Sequence, residues 1–384
     1  MSQIKLQPFY FIIHKAIIFL LMTFINVVSI CNNAIAQDAT FSDPINNKTY
    51  FHPGVTSVLK GIEAGCSAQT NFVGVQPNPK AGFIYLNGSY KISKKFYASH
   101  GLSVLNDREG KSPQINTTSI KANMINLKWF YKKFEGINCD NFLDKPYFSM
   151  GFYLGMFNKS INTSDLIFSQ QIVDWSATPI SSSNIELYSS INKTDVGGNI
   201  EFRFPISELF FINKDNLSGS LCYSVHHLQS TNNRIKPTEA SFVIQNQNIV
   251  LPRYHIFTFS LLSKENLNKE LFLQYERQRP IQRIMAGVNV FLHPQLALTV
   301  AVSNYTFVNW TKNINSLICT ANLFSNKREK GRDTSIYKFF FSYTSVLSSI
   351  GISPIVNKYG SFQVGIKFSK NYDCNFSTTD CPVM

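Results

Sequence analysis

The stretch Leu296-Ala297-Leu298-Thr299-Val300-Ala301-Val302-Ser303 alternates large aliphatic residues with small or polar ones. Successive side chains of an extended strand point to opposite faces, so this pattern predicts a strand with one apolar face. The segment FQVGIKF at residues 362–368 places aromatic or aliphatic side chains at every second position in the same way. These stretches therefore favour a sheet with two chemically different sides.

About fourteen segments with this alternation follow one another, bounded by turn residues. Most run for ~9–13 residues, which matches a tilted membrane-spanning strand. No amphipathic helix of convincing length interrupts the series, so a parallel α/β fold is excluded. We predict an all-β fold, a transmembrane antiparallel β-barrel of about 14 strands. The segments lie near residues 56–72, 82–90, 97–105, 117–131, 146–157, 195–204, 217–229, 253–263, 269–278, 282–292, 296–308, 314–325, 335–345 and 361–369.

The connections between the segments predict which way the barrel faces. An even number of strands leaves both termini on one side, which we predict to be the periplasm. The connections expected on that side, 91–96, 264–268 and 293–295, are short. The connections 158–194 and 230–252 are long and rich in Ser, Asn and Gln, as outer-membrane barrels show on their outer side.

Composition supports a membrane wall more than a soluble domain. Charged residues make up 15% of the 384 residues, against about 25% in soluble domains, and the mean hydropathy is −0.06. The net charge of +13 is not accompanied by a nucleic-acid-binding module, so we expect no nucleic-acid partner. We expect the basic residues to lie in turns or at lipid headgroups. Tyrosines near segment ends are candidates for aromatic girdles: Tyr97, Tyr131, Tyr147 and Tyr337. A water-soluble β-sandwich remains an alternative.

The first 36 residues have the pattern of a cleaved signal peptide. Lys5, His14 and Lys15 precede an apolar core at residues 16–30. Ala34-Ile35-Ala36 then forms a small-x-small cleavage site, which predicts a mature chain that begins at Gln37. We divide the chain into a signal peptide at 1–36, an outer-membrane barrel at 37–370 and a short tail at 371–384.

Six cysteines remain after Gln37, and no pair has the CxxC spacing of zinc sites. Cys374 and Cys381 flank a short polar segment and are a possible disulfide in an oxidising compartment.

No set of residues has the pattern of a catalytic or metal site, so we predict a protein that is not an enzyme and has no cofactor. His226 and His227 are the most notable pair. On a regular strand they point to opposite faces and cannot ligate one metal together, which favours a structural or hydrogen-bonding role.

Several passages, in order along the chain, resemble the PorP/SprF family of the type IX secretion system of Bacteroidota. They are QDATFS at 37–42, FHPG at 51–54, HGLSVLNDREG at 100–110, SMGFYLG at 149–155, SDLIFSQ at 164–170, SGSLCYSVHHL at 218–228, FSY at 341–343 and GSFQV at 360–364. The match is that of a divergent member: only Pro53 is kept from an Asn-Pro-Ala motif, and Thr344 stands where Asp is usual. The positions that carry the resemblance are Pro53, Gly101, Asn106, Asp107, Gly110, Gly151, Gly155, Asp165, Phe168, Gly219, His227, Leu228, Tyr343, Gly360 and Ser361.

This resemblance implies a barrel in the outer membrane that works with other type IX secretion proteins. Its cargo would be proteins with a dedicated C-terminal domain, such as gliding adhesins, which the system exports or retains at the cell surface. Two alternatives stay open: a porin or hydrophobic-substrate channel, and a secreted β-sandwich adhesin.

Overall fold

A computed structural model describes most of the chain after residue 40. The described residues are 41–56, 60–70, 80–93, 96–109, 114–130, 146–162, 188–206, 217–228, 253–263, 269–278, 281–307, 313–328, 334–349 and 360–372. The predicted signal peptide and the cysteines Cys139, Cys374 and Cys381 lie outside them. Within the described part of the chain, no helix is long and apolar enough to cross a membrane.

The described chain consists of one short helix followed by fourteen strands. Helix α1 comprises Lys48–Phe51. The strands are β1 Gly61–Thr70, β2 Lys80–Lys91, β3 Phe96–Glu109, β4 Gln114–Phe130, β5 Tyr147–Asn162, β6 Tyr188–Pro205, β7 Leu217–His226, β8 Tyr254–Ser263, β9 Lys269–Gln278, β10 Ile281–His293, β11 Leu296–Phe307, β12 Asn313–Arg328, β13 Thr334–Ser349 and β14 Ser361–Asn371.

The fourteen strands form one closed barrel. Each strand pairs antiparallel with its neighbours in the chain, and β1 closes the ring against β14, from Gly61 opposite Asn371 to Thr70 opposite Phe362. Closure gives every strand two partners, so the backbone polar groups of the wall pair with each other and no sheet edge is exposed. The predicted antiparallel barrel of about 14 strands is confirmed.

The two faces of the wall have opposite chemistry, and the inner face is the polar one. On β11, Val300 is 44% exposed on the outside, whereas Thr299 is 2% exposed and faces the lumen. The outer face carries large apolar side chains around the ring, among them Ile84, Leu86, Phe152, Leu154, Leu271, Leu273, Ile284, Val302, Phe339, Phe341, Val364 and Ile366. A soluble protein has the reverse arrangement, so this surface is suited to lipid.

The connections divide between the two ends of the barrel as predicted. The end where β1 begins and β14 ends, here called the terminal end, also carries the short connections 92–95, 264–268 and 294–295. The opposite end, here called the loop end, carries the two long connections, 163–187 and 227–253. The connection 163–187 is shorter than the predicted 158–194, because β5 and β6 extend beyond the alternating stretches, whereas 227–253 is slightly longer than the predicted 230–252.

The expectation that Tyr97 and Tyr147 belong to an outer aromatic girdle is wrong. Tyr97 and Tyr147 are only 5% and 2% exposed, because their register puts them on the inner face. They are therefore not part of an outer girdle. Tyr337 is exposed, as a girdle residue would be. Tyr131 lies outside the described residues. Asn106 and Asp107, which carry part of the family resemblance, lie inside β3, which pairs with β2 as far as Arg108.

Candidate functional site: a lumen filled by residues 41–56

Residues 41–56 lie inside the barrel and not in its wall. Phe41 and Ser42 contact side chains near the loop-end limits of β1, β10 and β14, whereas Thr56 contacts Ser89 near the terminal-end limit of β2. This stretch, here called the lumen segment, therefore runs along the lumen from one end region to the other. Its side chains are almost all buried.

A turn at Asp43 sets the shape of the first half of the lumen segment. The Asp43 carboxylate accepts hydrogen bonds from the backbone N–H groups of Ile45 (3.0 Å) and Asn46 (3.1 Å), and Pro44 lies inside this turn. The Asn47 amide donates to the Asp43 carbonyl at 2.7 Å. Asp, Asn and Pro favour such local turns, so this stretch folds into a compact turn before α1 begins.

Near the loop end, Arg283 on β10 binds the main chain of the lumen segment. Its two terminal nitrogens donate to the carbonyl oxygens of Phe41 at 2.8 Å and Ser42 at 2.9 Å. The same guanidinium pairs with Glu276 at 3.1 Å, and Glu276 also accepts a hydrogen bond from the Tyr254 hydroxyl. A buried guanidinium needs such a carboxylate partner, so Glu276 keeps Arg283 charged and oriented toward the two carbonyls.

Two wall glutamines complete this contact. The Oε1 atom of Gln69 accepts from the Ser42 backbone N–H at 2.8 Å. The Oε1 atom of Gln363 accepts from the Ser42 hydroxyl at 3.1 Å and from the Asp43 N–H at 3.4 Å. Three wall side chains from β1, β10 and β14 thus bind three consecutive residues of the lumen segment, Phe41, Ser42 and Asp43.

In the middle of the lumen, charge and amide contacts fix the turn and α1. Lys48 lies 3.6 Å from the carboxylate of Glu201 on β6. Asn46 donates to Asn322 on β12 at 2.9 Å, and Asn47 accepts from Ser67 on β1 at 2.9 Å. The contacts come from strands on different sides of the ring, so the segment spans the lumen crosswise as well as lengthwise.

An aromatic cluster provides the apolar part of the fit. Phe41, Tyr50 and Phe51 of the lumen segment are fully buried, and Phe41 and Tyr50 pack edge-to-face at 4.9 Å between ring centroids. Tyr50 also packs against Phe83 of β2 at 5.4 Å. Burial of a large side chain contributes about 1.5–3 kcal/mol. The wall side of this cluster consists of Ala81, Phe83, Tyr85, Leu105, Tyr254 and Ile256.

His52 and Gly54 make the next contacts along the lumen segment. The His52 ring bridges the hydroxyls of Ser224 on β7 (2.5 Å) and Thr258 on β8 (2.8 Å). The Gly54 backbone N–H donates to the side-chain oxygen of Asn199 at 2.5 Å. A Cβ at Gly54 would lie 2.6 Å from the Cα of Gly151 on β5, so only glycine permits this approach.

His226 and His227 face the same side, contrary to the expectation from strand alternation. β7 ends at His226, and His227 has a positive φ of 59°, which interrupts the alternation. Asp195 then links the two rings, because it accepts from His227 at 2.8 Å and from the Tyr153 hydroxyl, which also contacts His226. Nε2 of His226 lies 3.1 Å from the carbonyl oxygen of Phe51, so this network also contacts the lumen segment.

The positions that carry the family resemblance do not form one site. Pro53 belongs to the lumen segment and precedes Gly54, which packs on Gly151. Among the described residues, no group of three or more His, Cys, Asp or Glu side chains is placed to bind a metal ion. The other described positions are distributed around the wall, whereas Gly110, Asp165 and Phe168 lie outside the described residues.

The sequence analysis missed the lumen segment, because it assigned residues 37–370 to the barrel as a whole. A signal was present: Asp43-Pro44, Asn46-Asn47 and Pro53-Gly54 concentrate turn formers just before the first strand. These residues exclude a spanning strand there, but nothing in the pattern says that the segment enters the lumen.

A closed wall with an apolar outer face and a polar, filled lumen defines the chain as a transmembrane β-barrel protein. The model of the type IX secretion system membrane protein family PorP/SprF matches residues 33–378, nearly the whole chain. The chain belongs to the PorP/SprF family, as its motifs indicated.

Solved barrels give a weaker likeness. A monoaromatic hydrocarbon channel, CymD, matches with 9% identity and a TM-score of 0.45, over 85% of this chain and 94% of that one. A Pseudomonas aeruginosa FadL homologue matches with 8% identity and a TM-score of 0.46, over 86% and 94%. The Pseudomonas putida toluene transporter TodX matches with 9% identity and a TM-score of 0.43, over 85% and 93%. Values this low say nothing of function, and no curated protein matches the chain in sequence.

Proposed function

We propose that this protein is a non-enzymatic outer-membrane component of the type IX secretion system that supports export or surface retention of cargo proteins. Membership of the PorP/SprF family is the observation that carries the proposal. The apolar outer face supports a lipid-embedded position, and the predicted signal peptide is consistent with delivery to the outer membrane.

The filled lumen supports a role through protein contacts more than through free diffusion of a solute. Arg283, Glu201 and His52 all take part in contacts between the wall and the lumen segment. A porin needs a water-filled passage, whereas this lumen is occupied over much of its length. The partners are then other type IX secretion proteins and cargo with a dedicated C-terminal domain, gliding adhesins among them.

Deletion of the gene tests this role. We expect specific proteins, those with the dedicated C-terminal domain, to be lost from the cell surface or to appear in the medium. The measurement is a mass-spectrometric census of surface and medium proteins in the wild type, the deletion strain and a complemented strain. An unchanged census in the deletion strain would contradict the proposal.

A further inference from the structure

The wall recognises the main chain of the lumen segment, and it does so in both halves of the segment. Arg283 donates to the carbonyls of Phe41 and Ser42, and Gln69 accepts from the N–H of Ser42. Farther along, His226 contacts the carbonyl of Phe51, and Asn199 accepts from the N–H of Gly54. Main-chain groups are common to all peptides, so these contacts do not depend on the side chains of the occupant.

The recognition uses wall side chains and not extension of the sheet. Among the described residues, the backbone-to-backbone hydrogen bonds of the lumen segment join only its own residues, such as Asn47 to Asp43 and His52 to Lys48. The segment is therefore not a fifteenth strand of the barrel. It occupies the lumen as a ligand occupies a binding site, and the polar contacts described above join it to wall side chains.

Side-chain contacts add a pattern to this main-chain recognition. Phe41 and Tyr50 occupy the aromatic cluster, Lys48 faces the buried carboxylate of Glu201, and Gly54 allows the close approach to Gly151. An occupant thus needs an aromatic residue toward the loop end, a cation in the middle and a glycine toward the terminal end.

The present occupant leaves some of the wall's hydrogen-bonding capacity unused. Nε2 of Gln363 and Nε of Arg283 are buried, and neither has a hydrogen-bond partner in the described part of the molecule. Buried donors without acceptors are costly and uncommon. A carbonyl or carboxylate oxygen of an occupant at either point would pair with one of these donors.

The geometry points to the lumen as a binding site for a peptide segment of a protein partner, which the chain's own residues 41–56 fill in this structure. The covalent connection to β1 gives the lumen segment a high effective concentration, so a partner's peptide competes only when the segment is released. The site follows from the barrel's contacts alone and does not require the secretion role.

Exchange of the lumen segment tests the proposal on the full chain. A protease recognition sequence is inserted at residues 57–59, and the folded barrel, purified in detergent, is cut there. A fluorescent synthetic peptide of residues 37–56 is then added, and its binding is followed by fluorescence anisotropy. We expect saturable binding of the labelled peptide. The unlabelled peptide should displace it, whereas a scrambled peptide of the same composition should not.

Wall variants show whether the peptide binds where the segment lies. Arg283→Gln and Asn199→Ala each remove main-chain contacts, one in each half of the segment. Arg283→Gln should weaken binding at least about tenfold, and Asn199→Ala several-fold. Ser303→Ala changes a buried lumen residue whose hydroxyl has no hydrogen-bond partner among the described residues, and should leave affinity within about twofold.

Heat-modifiable migration on a gel verifies that each variant is a folded barrel. Three outcomes would each overturn the proposal: no saturable binding, equal binding of the scrambled peptide, or a cut segment that never exchanges with the added peptide. Equal affinities for the wild type and both main-chain variants would do so as well. Peptide binding is measured on the purified barrel, and cargo export is measured in cells. A negative result in one experiment therefore does not decide the other.

Discussion

His52 shows how one residue of the lumen segment is matched to the wall. Burial, together with the charge of Lys48, lowers the pKa of His52 to about 3, although Glu201 acts in the opposite direction. The ring is therefore neutral near pH 7, with one nitrogen that donates and one that accepts. That state suits a bridge between two hydroxyls, those of Ser224 and Thr258, each of which can donate or accept.

Docking of the lumen segment should weaken as the pH falls below about 6.5. The undocked His52 takes up a proton there, whereas the docked ring stays neutral down to about pH 3. Each pH unit in that window then favours release by about 1.4 kcal/mol. The measurement is deuterium uptake by residues 41–56 between pH 7.5 and 5, corrected for the intrinsic exchange rate.

His52→Gln is the matched control for this pH dependence, because an amide keeps hydrogen-bonding groups but does not titrate. We expect the pH slope to disappear in this variant. An equal slope in both proteins would assign the effect to other groups that contact the segment, such as Glu201 or His226, and would contradict the prediction for His52.

Single strands could be predicted closely because their chemistry is local. Each of the fourteen predicted segments overlaps one observed strand, and β9 has the bounds that were predicted, Lys269–Gln278. The errors are at strand ends: β4, β5, β6, β12 and β13 continue past the alternating stretch. Hydrogen bonding to a neighbour extends a strand wherever that neighbour continues, and one segment's pattern contains no information about its neighbour's length.

An arginine on the outer face of a strand should destabilise the barrel. Val300 lies in the middle of β11 on the apolar face, where Val300→Arg would place a cation in lipid. The expected loss is about 2–4 kcal/mol in the free energy of unfolding. Urea unfolding in lipid vesicles, followed by fluorescence, provides the measurement.

Gln295→Arg in the turn between β10 and β11 is the control, because Gln295 is exposed beyond the strand ends. Its effect should be within about 0.5 kcal/mol. Similar losses for both variants would show that Val300 does not face lipid.

At the scale of the whole molecule, the lumen segment decides whether the barrel is a passage. Its polar contacts reach strands all around the ring, including β1, β6, β8, β10, β12 and β14. The hydrophobic contacts of Phe41, Tyr50 and Phe51 add to them. A segment anchored on several sides closes the lumen more firmly than a loop folded over one end.

The intact protein should show no steady current in planar lipid bilayers, whereas Gly54→Val should open it. The added side chain would overlap the Cα of Gly151 and the side chain of Asn199. Backbone of a wall strand cannot move aside, so the terminal-end half of the lumen segment must leave its place. The measurement is the single-channel conductance of the two proteins, with equal amounts of each inserted into the bilayer.

Gly82→Ala is the control for this experiment, because an added Cβ there meets only the carbonyl oxygen of Asn106 at 3.9 Å. This variant, like the wild type, should show no steady current. A steady current through the wild type would contradict the closed lumen and favour the small-molecule channel, and identical traces from all three proteins would contradict the role given to Gly54.

The sequence by itself determined the barrel, its approximate strand number, its apolar outer face and its family. Each of these depends on side-chain alternation or short motifs, which are properties of neighbouring residues. Only the tertiary structure decided that residues 41–56 fill the lumen, that Tyr97 and Tyr147 face inward, and that Asp195 joins His226 and His227. These features depend on ring closure, which brings together residues as distant in the chain as Ser42 and Gln363, and no local pattern records which residues will meet across a lumen.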